Sequence, residues 1–235
     1  MKKILVFVAL LGGNLLAKPY PQQDLAALVS PQAFHFDRAI ASVEVLRPLA
    51  GEYPTRFDSA DDRKRARRDI RQLTQMLELV RDDNIIDAQH PQRLTLLWLL
   101  ANLGVYAHNL DMEEGFRQAS SNYEAALALV PASETKKRAA LLEDYGRFLT
   151  TATKMELGEK YLREAVALNP ELDYSLAVNL AIQGKKEEAL RLLDSHLQRE
   201  PDDADAQKLR GALRGTGPEL RSVQRPLNPA ADGER

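Results

Sequence analysis

Between residues 142 and 170 the chain reads Leu142-x2-Tyr145-Gly146-x2-Leu149, then Gly158-x3-Leu162-x2-Ala165, and closes at Pro170. Apolar residues three and four apart place one stripe on each of two helices. Gly146 and Gly158 fall where those helices would cross, and a bulky side chain there would hold the axes apart. Proline cannot continue a helix interior, so Pro170 ends the second helix and opens the next unit. The arrangement recurs on both sides. Ala119-x3-Tyr123-x2-Ala126 closes at Pro131, and Ala189-x3-Leu193-x2-His196 closes at Pro201. In all three copies the small residue precedes the proline by twelve positions, and Gly104 and Ala177 take the place of Gly146 in the other first helices. Such a period marks helix–turn–helix units that must stack, because none buries its stripe alone.

These segments resemble tetratricopeptide repeats, whose pattern is W-x2-L-G-x2-Y, then A-x3-F, then P. Gln183-Gly184-Lys185-Lys186-Glu187-Glu188-Ala189-Leu190 is also similar to that family's inter-helix turn and second-helix start. The resemblance covers residues 97–214, as units 97–131, 134–170 and 172–201 and a capping helix 203–214. The array is degenerate. Gly104 to Ala119 is fifteen residues where the other copies have twelve, which places three extra residues in the turn from His108 to Glu114. The third unit's first helix is short, and His196 replaces a small residue. The expected fold is all-α: a tetratricopeptide-like solenoid with a helical N-terminal extension (31–96) and a disordered C-terminal tail (215–235).

The N-terminus has a different purpose. Met1-Lys2-Lys3 is a basic start, Ile4 to Leu11 is an apolar run too short to span a bilayer, and Leu15-x-Ala17 offers a cleavage site before Lys18. Residues 1–17 therefore read as a secretory signal peptide, and no cysteine follows for lipid attachment. The protein is expected to be exported and periplasmic, with full secretion as the alternative. It has no cysteines at all and must rely on its core. With 32 basic and 34 acidic residues the charge is −2, or 30 − 34 = −4 without Lys2 and Lys3. That mild acidity gives no support for nucleic-acid binding.

Residues 18–30 are proline-rich and read as loose. Helices are expected from Gln32 to Arg47, stopped by Pro48; from Ser59, where Ser59-x-x-Asp62 has the form of a capping box; and from His90-Pro91. The last is apolar nearly all round from Leu94 to Leu100, which places it at the centre of a domain. Gly215 to Arg235 has few large apolar residues.

Catalytic patterns are missing. There is no His-Glu-x-x-His, no Gly-x-Ser-x-Gly, no phosphate loop and no Cys/His cluster, so no enzyme, cofactor or metal is expected. Ser133-x-x-Lys136 has the form of a nucleophile pair without its partner motifs and reads as a helix cap at Ser133. Asp202, Asp203 and Asp205 lack the rest of a calcium loop and read as another cap.

The resemblance implies a peptide or protein partner along a concave face lined by each unit's first helix. The side chains off the packing stripe there are Glu143, Arg147, Thr150 and Thr151, then Tyr174, Val178 and Ile182, with His108 in the first unit. The partner-binding candidates are His108, Glu143, Arg147, Thr151 and Tyr174. A rival surface is the basic run Arg63 to Arg71, with Arg67 and Arg68 at its centre, suited to an acidic partner and otherwise a solvated face balanced by Asp58, Asp61 and Asp62. Three functions are compatible with these residues: an exported interaction scaffold, a dedicated accessory subunit of an envelope machine, and a ligand-binding protein or enzyme with a pocket at Trp98.

Overall fold

In a computed structural model of the protein, the described residues are 17–30, 33–83, 85–87 and 89–216. They are mostly helical. The α-helices are α1 (Phe36–Ala50), α2 (Ala60–Asp82), α3 (Arg93–Asn109), α4 (Gly115–Leu129), α5 (Thr135–Thr151), α6 (Met155–Leu168), α7 (Asp173–Ile182), α8 (Lys186–Arg199) and α9 (Ala204–Arg214). A two-residue antiparallel pair, β1 (Val29–Ser30) with β2 (Ala33–Phe34), precedes α1. No described helix is long and apolar enough to cross a membrane. The signal-peptide reading and all but the first two residues of the tail lie outside the described residues.

The chain divides into two compact units with their boundary at Val130 and Pro131. In the unit up to Val130, α3 packs against α1, α2 and α4. Its leucines at 96, 97, 99, 100 and 103 are buried on every side, as an all-round apolar helix requires. Residues 18–30, read as loose from their prolines, are tied down instead. Lys18 N–H donates to Arg56 O at 2.9 Å. The Tyr20 ring is buried, its hydroxyl donates to Asp69 Oδ2 at 3.0 Å and its N–H to Asp62 Oδ2 at 3.2 Å. Leu25 and Leu28 form a buried 3-10 turn. Ser59 accepts from Asp62 N–H as a helix cap. The Asp62 carboxylate also accepts from Tyr20 N–H and from Arg65. Pro48 lies inside the last turn of α1 rather than ending it.

In the unit from Pro131, α5 pairs with α6 and α7 with α8. Helix α6 packs on α7, α8 on α9, and α5, α7 and α9 touch in series. Ser133 does not cap α5, whose N-cap is Glu134. Asp203 does cap α9, accepting from Asp205 and Ala206 N–H at 3.0 Å each. Helix α7 has 10 residues against 17 in α5, the shortening that the spacing predicts.

All the repeat-pattern positions other than the prolines are buried in all three helix pairs. The close crossings are equally direct. A Cβ on Gly104 would meet Ala119 Cα at 2.7 Å, and one on Gly146 would meet Leu162 Cγ at 2.6 Å and Gly158 O at 3.0 Å. Both are distances that side chains do not tolerate. The three inter-helix turns are built alike. Asp111, Thr153 and Gly184 have φ of 58°, 63° and 75°. The following residue donates back five positions each time: Met112 to Ala107 O at 2.9 Å, Lys154 to Leu149 O at 2.8 Å, and Lys185 to Leu180 O at 2.9 Å. The three extra residues of the first pair, 113–115, come after this closing residue Met112.

Candidate functional site

The first helices of the pairs in the unit from Pro131, α5 and α7, together with α9, share one side of that unit. Arg147 on α5 is exposed. Half-buried Glu143, one turn earlier, accepts from Ser175 Oγ of α7 at 2.6 Å. Tyr174 of α7 lies within electrostatic reach of Arg147 of α5 and of Asp203 and Asp205 of α9. Burial first, then those two carboxylates, push the Tyr174 phenol well above its ordinary range, with Arg147 opposing them. The arrangement sets a cation and carboxylates around one half-buried aromatic ring, which suits polar and apolar contact with an extended chain.

Thr150 and Thr151 behave differently from each other. Thr151 is half-buried and donates to Phe148 O at 2.9 Å. Thr150 does not face outward with Arg147, as its spacing suggests. It is buried, donates to Gly146 O at 2.8 Å and accepts from Asn179 Nδ2 at 2.7 Å. Asn179, fully buried, also donates to Met155 O at 3.0 Å, so a polar ladder crosses from α5–α6 to α7. The missing Cβ at Gly146 and Gly158 brings these backbones near enough for a threonine and an asparagine to bridge them.

Tyr174 is off the stripe by count but packs in part. Its ring lies 5.4 Å from that of His196, and it covers a cluster of Ala177, Leu193, Leu197, Ala206 and Leu209. His196 is itself held at both nitrogens, by Asp173 at 3.2 Å and Asp203 at 2.8 Å. Neither nitrogen is placed to act as a base on Ser195, whose Oγ accepts from Arg199 at 2.9 Å. Sequence reading flags His196 as a departure from the pattern and misses its partners. The available signal was that Asp173 departs at a facing position of the same helix pair.

The remaining candidates belong to the unit up to Val130. The His108 ring meets Phe116 of α4 edge-to-face at 6.1 Å. Arg63 pairs with Asp111 at 2.8 Å, Arg65 with Asp62, and Arg68 with Asp69 at 3.4 Å. Of the carboxylates expected to balance the basic run, Asp62 pairs with Arg65 and Asp58 lies within electrostatic reach of the same guanidinium. Lys64, Arg67 and Arg71 form no ion pair among the described residues. Trp98 is half-buried with the Arg47 guanidinium 5.2 Å from its ring centre. Among the described residues no group of three or more His, Cys, Asp or Glu side chains is placed to hold a metal ion.

No protein family model matches the chain, and no curated protein or solved structure matches it either.

Proposed function

We propose that this chain is a non-catalytic, exported interaction module of tetratricopeptide-like build that holds a segment of a partner protein along the α5–α7–α9 side. The observation that carries the reading is the division of labour on α5 and α7. The pattern positions are all buried, while Arg147 stays exposed between Glu143 and Tyr174. A long planar cation beside an aromatic ring suits the carboxylates and carbonyls of an extended peptide. Export is supported by the N-terminal sequence, and on that reading the mature chain begins at Lys18 and works in the periplasm. A stable complex with one partner would make it an accessory subunit of an envelope machine.

A second reading has its own observation. Lys64, Arg67 and Arg71 lie along one stripe of α2 without carboxylate partners, which suits an acidic partner surface.

A photo-activated cross-linking residue placed at 147, and in a separate protein at 67, tests both in the cell that makes the protein. Adducts to one defined partner from position 147 are expected. Adducts only from position 67 would move the contact to α2, and none from either would remove the interaction reading. Intact mass of the envelope-derived protein should lack the first seventeen residues.

A further inference from the structure

His196 stands where the other helix pairs carry Ala126 and Ala165, and Asp173 where they carry Leu100 and Leu142. The two departures meet. His196 Nδ1 lies 3.2 Å from Asp173 Oδ1 and Nε2 lies 2.8 Å from Asp203 Oδ2. The other Asp173 oxygen accepts from Arg199 at 2.5 Å. His196 and Asp173 are only 8% and 3% exposed. One buried ring thus ties the start of α7, the end of α8 and the cap of α9 together.

A carboxylate accepts hydrogen bonds and cannot donate them, so each ring nitrogen needs a hydrogen for both contacts to form. That is the imidazolium. The neutral ring has one hydrogen and sets a lone pair against a carboxylate oxygen. We propose that His196 is a proton-operated clasp that docks α9 on the α7–α8 pair and loosens it as the ring loses its proton. The charged ring is the form with partners in the docked state, so docking is strongest below the imidazole's titration range and weakens as pH rises through it.

The other groups around the ring are Asp173, Asp203, Arg199 and Tyr174. Burial raises Asp203, but the Ala206 and Asp205 N–H groups and His196 itself outweigh it and hold the carboxyl below its usual range. Tyr174 is pushed up by burial. Arg199 reaches the ring's partner Asp173, and Arg147 of α5 and Asp205 of α9 face Tyr174. The chain's other histidines, His35, His90 and His108, all precede Pro131, so His196 is the one imidazole in residues 131–235. The clasp stands whether or not the α5–α7–α9 side binds a partner. If it does, the clasp governs the helix that brings Asp205 to it.

The test is hydrogen exchange of the mature full-length protein from pH 5.5 to 8.5, corrected for intrinsic exchange, with the amides of α9 compared with those of α6. Protection of α9 should fall by about tenfold relative to α6 as pH rises, the factor that one charge-assisted hydrogen bond is worth. His196→Gln should give a flat, lower ratio. A flat ratio in the wild type, or the wild-type slope in His196→Gln, overturns the proposal. Should His196→Gln fail to fold, Asp203→Asn keeps a capping oxygen for α9 and removes the carboxylate. A slope that survives Asp203→Asn unchanged likewise overturns the clasp.

Discussion

The helix pairs α5–α6 and α7–α8 share one scaffold and fill it in opposite ways. In the first, Leu142, Tyr145 and Leu149 face Leu162 and Ala165, and two glycines let the axes close. In the second, Ala177 and Ala189 replace the glycines, and Asp173 with His196 replace a leucine and an alanine. Both sets are buried. The repeat positions therefore specify burial and shape rather than hydrophobicity. A polar residue is accepted there when a second one answers it and a third, Arg199 or Asp203, completes the hydrogen bonding.

The sharpest way to break the apolar pair is Gly146→Leu. Its Cβ would start 2.6 Å from Leu162 Cγ and 3.0 Å from Gly158 O, where the carbonyl cannot yield. A loss of about 3 kcal/mol is expected in the urea-unfolding free energy. Wild-type stability would mean that the axes do not approach through this position.

The polar pair breaks more subtly. His196→Ala leaves buried Asp173 with Arg199 alone and should cost about 2 kcal/mol. Adding Asp173→Leu restores the Leu142/Ala165 combination of the neighbouring pair. The double variant should recover about 1 kcal/mol or more of that loss in a double-mutant cycle. Additive losses would show that the two residues are not a unit.

Acid should distinguish the pairs further. Burial alone would raise Glu159, yet hydrogen bonds from Lys185, Gln183 and Arg163 hold it at about 2. Asp203 is also held below its usual range. Their folded values lie below the unfolded ones, so the stability they add is complete above pH about 4 to 5 and is lost as pH falls further. The urea midpoint should drop from pH 5 toward pH 2.5. Glu159→Gln should shallow that fall while leaving the neutral-range behaviour of α9 unchanged.

The smallest effect is expected at Arg147. Its side chain is exposed, so Arg147→Ala should change stability by less than about 0.5 kcal/mol while releasing the partner in a pull-down. Tyr174→Ala is different: it strips cover from His196 and the α8–α9 cluster, and a measurable loss of α9 protection should accompany any loss of binding.

The close crossings are legible because glycine at two facing positions has a single steric meaning, and the spacing to each proline repeats. The clasp is not legible, since Asp173 and His196 are 23 residues apart and each looks alone like decay of the pattern. The Tyr20 anchor is hidden for the same reason. Its carboxylate partners lie 42 and 49 residues away, while the flanking prolines speak locally for looseness. Thr150 turns inward against Asn179, because counting along a helix gives a direction but not how closely the next helix approaches. Arg147 stays exposed on α5, whereas Glu143, one turn earlier, is half-buried against Ser175 of α7.

The shared turn has a further consequence for how such a chain changes length. In the α3–α4 pair the backbone closes its loop from Met112 to Ala107, and the added residues follow that closure, so Gly104 still meets Ala119. The hinge therefore separates the register of a helix pair from the length of its connection. The junctions Thr153–Lys154 and Gly184–Lys185 occupy the equivalent place, and they are natural ports where an epitope or a grafted recognition loop could be spliced in while the helices on either side keep their alignment.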